Sequence, residues 1–181
     1  PSLFRGSPVP DLPEAIVSDD LPLAFAPHAT SKLQTADDLF RVGTLGFRGE
    51  ALASIGSVAE VRLLSRPAGS EANEILVEGG RIGPARPAAG APGTMIEVRN
   101  LFANVPVRRK FMKSVQVETE HVSDVLARFA VAHPDLRLEY FVEGERRFSL
   151  APSDRRTRIA AFFDEETAAA MKEIEAPDFH V

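Results

Sequence analysis

The chain has 181 residues, of which 44% are hydrophobic and 26% are charged, and its net charge is −5. This length and composition are typical of one globular domain with the start of a second. The absence of cysteine excludes disulfides and thiolate chemistry. The four histidines do not have the spacing of zinc ligands, which argues against an ordinary zinc site. The negative net charge argues against a main DNA-binding surface. The sequence shows no signal peptide and no apolar run near the ~18 residues of a membrane span. We therefore expect no membrane contact and a cytoplasmic location.

The front of the chain is rich in proline and gives few structural signals. Residues 1–15 show neither a helical nor a strand period, so we interpret them as an irregular segment. Ser18 and the two aspartates after it are typical of a helix N-terminus, and Leu21 and Phe25 would form the inner face of that helix. Further on, residues 35–38 resemble a capping box that opens a short helix.

The rest of the chain alternates between strand and helix patterns. Apolar residues at every second position predict strands over residues 94–100 and 136–142, and residues 58–65 and 74–78 are also interpreted as strands. Helical spacing predicts a helix over 118–133 that buries Val122, Leu126 and Phe129, and shorter helices are expected over 154–163 and 165–174. Runs of strands with long helices between them indicate an α/β layered domain, in which helices cover a sheet.

The most informative segment covers residues 45–55 and reads Leu-Gly-Phe-Arg-Gly-Glu-Ala-Leu-Ala-Ser-Ile. Gly46 and Gly49 lie just before a helix-forming run, so their loop can present backbone N–H groups to an anion at a helix N-terminus. Glycine also lets the backbone approach phosphate oxygens closely, and Arg48 adds a positive charge. Many turns before helices contain two glycines, so the spacing alone is a weak signal.

The residue sequence of this segment resembles the phosphate-binding loop of the MutL family of DNA mismatch repair proteins. These proteins are GHKL-type ATPases related to gyrase and histidine kinases. Two flanking segments agree in order and spacing. Residues 28–32, His-Ala-Thr-Ser-Lys, resemble the family segment before the loop, and Gly93-Thr94 with residues 101–111 resembles the one after it. The resemblance covers residues 16–150 and is weaker over 151–181.

The resemblance implies an ATP site and a role for each matching residue. Thr30, Ser31 and Lys32 would lie in or beside a lid over the nucleotide. Seven consecutive residues would wrap the triphosphate, mainly with backbone amides: Gly46, Phe47, Arg48, Gly49, Glu50, Ala51 and Leu52. Thr94 would contact the adenine, with a water, and Asp11 would take the place of the aspartate that reads the adenine amino group. The implied cofactors are ATP and Mg²⁺.

The beginning of the chain departs from this family. Family members start with a helix that bears the general-base glutamate and a magnesium-binding asparagine, and no such helix precedes residue 16. The segment 11–16 also lacks both glycines of the family's adenine-reading turn. We therefore expect an incomplete N-terminus, assign no catalytic residue and no metal ligand, and expect no useful ATP hydrolysis by the chain as written.

The resemblance implies a two-layer α/β sandwich, with a mixed sheet and helices on one face. Residues 1–15 would be an atypical segment, 16–150 the ATP-binding domain, and 151–181 a linker and the truncated start of a second, transducer domain. ATP binding by the whole protein would close a homodimer through its N-terminal domains. That closure would pass the mismatch signal from the recognition protein MutS to strand incision, with DNA contacts mainly outside this part.

Two alternatives stay open at this point. The chain could be a degenerate interaction module that binds no ATP, which the unusual residues 1–15 would favour, or it could be another ATPase of the same superfamily. A basic cluster formed by Arg108, Arg109, Lys110 and Lys113 could touch DNA, but a solvated face or a structural clamp is the simpler interpretation. Likewise, Phe102 and Phe111 are most simply core residues.

Overall fold

A computed structural model describes residues 5–6, 15–26 and 50–172 of the chain. These residues form two compact units, and the division falls between Met112 and Lys113. The first unit contains residues 15–26 and 50–112, and the second contains 5–6 and 113–172. The domain boundaries near residues 15 and 150 follow from the resemblance alone and stay a prediction. None of the helices in the described part of the chain is long and apolar enough to cross a membrane.

The described residues form eight strands and five α-helices. The strands are β1 (Arg5–Gly6), β2 (Glu60–Arg66), β3 (Ala72–Glu78), β4 (Arg81–Ile82), β5 (Arg86–Ala88), β6 (Gly93–Arg99), β7 (Leu136–Val142) and β8 (Glu145–Leu150). The α-helices are α1 (Ala51–Val58), α2 (Pro106–Lys110), α3 (Val115–Ala132), α4 (Arg155–Ala160) and α5 (Glu165–Ala170). Two 3₁₀ turns, Ser18–Asp20 and Leu23–Phe25, precede α1.

The first unit is built on an antiparallel sheet with the strand order β4-β3-β2-β6, and β5 also pairs with β3. One face of this sheet is largely apolar because aliphatic residues occupy alternate positions along most of β2 and β3. Its buried members are Val61, Leu63, Ile75 and Val77, and they form one core with Leu21, Phe25 and Ala59. Leu52 and Ile55 bring α1 onto the same core. Helices therefore cover this face, in agreement with the predicted α/β layering.

The predicted elements of the first unit occur with shifted ends. The strand expected from residue 58 begins at Glu60, because α1 continues to Val58. The helix expected after Ser18 is a pair of 3₁₀ turns, and it buries Leu21 and Phe25 as predicted. Every strand pair among the described residues is antiparallel.

The second unit consists of the sheet β1-β7-β8 with α3, α4 and α5. Leu136 and Leu138 alternate with exposed residues along β7, as the period-two pattern predicts, and form a small core with Ala130. Four partly buried side chains pack against this core: Phe129, Phe148, Leu150 and Phe162. Aromatic rings therefore surround a small core, in which the described part of the chain places three buried residues.

The predicted helix over 118–133 is observed as α3, which begins three residues earlier because Ser114 caps it by accepting from the backbone N–H of Val117. The prediction for Phe129 is confirmed, since its ring packs against the core. The prediction for Val122 is wrong, since 49% of that residue is exposed. The small Ala130 is the buried residue of α3 instead, so the apolar stripe meets its core only near the end of α3. The interpretation of Phe111 as a core residue is also wrong, because 77% of it is exposed.

Arg158 in α4 is almost fully buried, at 1% exposure. Its Nη2 donates to the carbonyl oxygens of Pro134, Leu136 and Ala151 at 2.6, 2.9 and 2.7 Å. Its Nη1 is buried and has no hydrogen-bond partner among the described residues. Burial lowers the pKa of Arg158, because desolvation disfavours the charged form, while Asp135 opposes that change. The Arg158 guanidinium thus connects α4 to the start of β7 and to the residue that follows β8.

Candidate functional site

Four of the predicted site residues lie among the described residues, namely Glu50, Ala51, Leu52 and Thr94. The other eight lie outside them: Asp11, Thr30, Ser31, Lys32, Gly46, Phe47, Arg48 and Gly49. The structure therefore describes the last residues of the predicted phosphate loop and the predicted adenine contact. It leaves the lid and the first half of the loop as predictions.

Helix α1 begins directly after the two-glycine segment. Glu50 occupies the N-cap position, and its carbonyl oxygen accepts the first helical bond from the Ser54 N–H at 2.9 Å. Ala51 is exposed, whereas Leu52 is half-buried and packs on the core of the first unit. The first N–H groups of a helix have no acceptor within the helix, so this end of α1 has the chemistry that the predicted phosphate contact requires.

The other end of α1 is fixed by groups from distant parts of the first unit. The carbonyl oxygens of four consecutive residues, Gly56 to Ala59, each accept a hydrogen bond from outside the helix. Their donors are the backbone N–H of Gly80 at 2.8 Å, the side-chain amide of Asn104 at 2.8 Å, the N–H of Phe102 at 2.7 Å and the N–H of Gly79 at 3.4 Å. These bonds satisfy the carbonyls that a helix end leaves open. They hold the axis of α1 against the sheet.

Asn104 and Phe102 belong to the 101–111 segment that resembles the family, and no role for Asn104 was predicted from the sequence. Phe102 adopts a left-handed backbone with φ of 60°, which places its N–H on α1. Such a conformation is uncommon for a bulky residue and is kept only where contacts hold it. This part of the motif is therefore a structural support of α1.

Thr94 lies at the start of β6, opposite Ser65 on β2. Their hydroxyl oxygens are 3.0 Å apart and share a hydrogen bond. Ser65 is fully buried, and its Oγ also accepts from the backbone N–H of Ile16 at 2.6 Å. The preceding Gly93 has φ of 115°, a conformation that favours glycine. Three chain segments thus fix the position of the Thr94 hydroxyl, on the sheet face that α1 covers.

The strongest charged cluster of the first unit lies on the opposite face of the sheet. Glu74 accepts from Arg62 at 2.6 Å and from Arg86 at 2.8 Å. The hydrogen bond from Arg62 is the main reason that the pKa of Glu74 lies below its ordinary value, and Arg86 acts in the same direction. Because all three side chains are paired with one another, this cluster stabilises the sheet and is not part of the predicted nucleotide site.

The basic cluster and the acidic residues add no further site. Arg108, Arg109, Lys110 and Lys113 are all exposed, which agrees with the interpretation as a solvated face. Within residues 5–6, 15–26 and 50–172, no group of histidine and carboxylate side chains could hold a metal ion.

Profiles of protein families gave no match. The chain is 48% identical over 143 residues to the DNA mismatch repair protein MutL of Geotalea daltonii, covering 78% of this chain and 24% of that protein. It is 42% identical over 158 residues to MutL of Geobacter sulfurreducens, covering 87% of this chain and 26% of that protein. The chain belongs to the MutL family. It spans about a quarter of the length of these MutL relatives.

Solved structures identify the part of MutL that this chain matches. The ATPase domain of Aquifex aeolicus MutL complexed with ADP is 35% identical, with a TM-score of 0.58 over 70% of this chain and 50% of that domain. A second structure of the ATPase domain from the same MutL is 31% identical, with a TM-score of 0.52. The matched part is an ATPase-domain region, and the predicted α/β fold of GHKL type is confirmed.

Proposed function

We propose that this chain forms a large part of an ATP-binding site in a MutL-type mismatch repair protein. The observation that carries the proposal is the hydrogen-bonded pair of the buried Ser65 and Thr94, which fixes one hydroxyl at the start of β6. The position of α1 supports it, because the N-terminus of that helix directly follows the glycine segment. The related Aquifex aeolicus domain was solved with ADP, so a nucleotide is the ligand class that the likeness supports.

Each part of the site has a proposed task. The amides of residues 46–52 would bind the phosphates, where the dipole of α1 also favours negative charge. Arg48 would add charge next to them, and Thr30, Ser31 and Lys32 would lie in the lid. Thr94 and Asp11 would contact the adenine. ATP would supply the phosphoryl group that water accepts, and magnesium would neutralise charge on the phosphates.

The whole protein would use this site as a switch. ATP binding would bring the two N-terminal domains of a homodimer together, and hydrolysis would separate them. The closed dimer would pass the signal of the recognition protein MutS to the later steps of repair in the cytoplasm, with weak contacts to mismatched DNA mainly outside this chain. Residues 16–150 would form the ATP-binding domain, and residues 151–181 would begin the transducer domain.

A calorimetric titration of the 181-residue chain with ADP and with ATP, with and without magnesium, tests the proposal. We expect saturable binding of both nucleotides by the unaltered chain. The variant Gly49→Val should abolish binding, because a branched side chain would stand where a phosphate oxygen must approach the backbone. Ala68→Val is the matched control, since Ala68 is exposed in the turn between β2 and β3.

Circular dichroism must show that both variants are folded. A folded Gly49→Val variant that binds nucleotide as tightly as Ala68→Val would refute the phosphate site. An unaltered chain that binds neither ADP nor ATP would refute nucleotide binding altogether and would support the alternative of an interaction module.

A further inference from the structure

The end of α1 is held by two turns that lie far apart in sequence. Residues 79–80 form the turn between β3 and β4, and their N–H groups donate to the first and last of the carbonyls of residues 56–59, at 2.8 and 3.4 Å. Residues 100–105 form the second turn, which donates to the two middle carbonyls from the Phe102 N–H and the Asn104 side chain. Two separate segments of the first unit therefore meet at one helix end.

Asn104 contacts both of the other segments. Its side-chain amide donates to the carbonyl oxygen of Ser57 in α1 at 2.8 Å. A Cβ added at Gly79 would lie 3.3 Å from the same Asn104 Nδ2, so the side chain also packs against the turn of residues 79–80. One exposed amide group thus joins α1, that turn and its own turn.

The backbone of residues 100–105 needs support from outside. Asn100 has φ of 52° and Phe102 has φ of 60°, and this left-handed conformation is unfavourable for residues other than glycine, most of all for a bulky one. Such a conformation persists only where surrounding contacts hold it. The contact here is the bond from the Phe102 N–H to the Val58 carbonyl oxygen, at 2.7 Å.

We propose that residues 100–105 are a conformational latch: their left-handed turn and the end of α1 hold each other, and together with residues 79–80 they open and close as one unit. The physical reason is mutual dependence. The left-handed turn loses its support when the end of α1 opens, and the carbonyls of α1 lose their donors when the turn relaxes. The inference goes beyond the proposed nucleotide site and does not rest on it.

The latch also has a place in the course of the chain. The Val105 N–H donates to the Phe102 carbonyl oxygen at 3.1 Å, and Val105 is the N-cap residue of α2. The second unit begins at Lys113, shortly after α2. A change at the end of α1 would therefore reach the segment through which the chain enters the second unit.

Hydrogen exchange of backbone amides, followed by NMR in the 181-residue chain, tests the latch. The Phe102 and Gly80 amides are the reporters, because each donates to α1 from a different segment. Asn100→Val and Asn100→Gly form a matched pair: both remove an exposed side chain, but only valine opposes a φ of 52°. We expect valine to lower the protection of both reporters about tenfold, and glycine to leave both unchanged.

Asn104→Ala provides a second variant, which removes the side-chain donor and adds no strain to the backbone. The protection of Phe102 and of Gly80 should fall about fivefold, the factor for one ordinary hydrogen bond. Asn73→Ala is the matched control, since Asn73 lies at the opposite end of β3 from residues 79–80. Circular dichroism shows which variants are folded, and the pair of alanine variants carries the test if Asn100→Val does not fold.

Equal losses of protection at Phe102 and Gly80 in Asn100→Val and in Asn104→Ala support the latch. A loss at Phe102 with unchanged protection at Gly80 would show that the two turns bind α1 independently, and the inference would be wrong. Equal effects of Asn100→Val and Asn100→Gly would show that the left-handed backbone has no part in it. Unchanged protection in every variant would overturn the inference as well, and none of these outcomes bears on nucleotide binding.

Discussion

Replacing Arg158 with methionine should destabilise the second unit by about 2–4 kcal/mol. The two protons of Nη2 serve three carbonyl oxygens, so about two full bonds are lost, each contributing about 1.5–3 kcal/mol for a charged donor. Part of this loss is offset, because the unpartnered Nη1 costs about 1–3 kcal/mol while it is buried. Methionine fills similar space without a charge but removes the donor to the carbonyls of Leu136 and Ala151. The Pro134 carbonyl keeps its bond from the Ser153 N–H at 2.9 Å, and the net change is still destabilising.

Tyrosine fluorescence during urea unfolding measures this change in stability, because it reports on the second structural unit. The chain has one tyrosine and no tryptophan, and the ring of Tyr140 lies 5.4 Å from that of Phe148 in the core of the second unit. Arg155→Met is the matched control, since Arg155 is exposed on the same helix. If the free energies of unfolding of the Arg158→Met and Arg155→Met variants agree within about 0.5 kcal/mol, the range of ordinary surface substitutions, the buried guanidinium does not stabilise the unit and the argument fails.

Two further predictions concern the first unit. A Cβ added at Gly56 would lie 3.0 Å from Val77 Cγ1 and 3.3 Å from the Phe25 ring. Gly56→Val should therefore lower the free energy of unfolding by about 1–3 kcal/mol relative to Ser54→Val, a control on the exposed side of α1. Equal midpoints of urea unfolding, followed by circular dichroism, would contradict the tight packing. The lowered pKa of Glu74 means that its stabilising effect is complete above its ordinary pKa of 4.5 and is lost as the pH falls through the lower folded value. Glu74→Gln should therefore flatten the dependence of the unfolding free energy on pH below 4.5, and an unchanged slope would show that Glu74 keeps its ordinary pKa in the folded state.

Period-two and helical patterns predicted most of the elements, because those periods follow directly from backbone geometry. The end of α1 could not be predicted in this way. Its last carbonyls are paired with Gly79, Gly80, Phe102 and Asn104, which lie 20 or more residues further along the chain, so no local signal marks where the helix stops. The burial of Val122 was overestimated for a related reason, since a helical stripe shows which residues share a face but not how far the partner surface extends.

The candidate site, too, was predicted only in part. The residue sequences around Gly49 and Thr94 predicted the phosphate loop and the adenine contact through resemblance to the family. Neither prediction follows from residue spacing alone. Ser65 was missed, although a signal was present: β2 has Val61, Leu63 and Ser65 at every second position, and a serine at the end of a buried apolar row needs a hydrogen-bond partner. The identity of that partner depends on strand register, which the sequence did not specify.

The hydrogen bonds at the end of α1 have a consequence for the linkage between ligand and local stability. The carbonyls of Gly56 to Ala59 are bound to other segments of the first unit, and the first turn of α1 directly follows the predicted phosphate loop in sequence. A bound phosphate group should therefore change local opening mainly in the N-terminal turn, the end of the helix at which it would bind. A ligand that binds only the closed turn stabilises it by mass action. Amide exchange in the first turn of α1 should slow as nucleotide is added, while exchange in the last turn stays nearly constant.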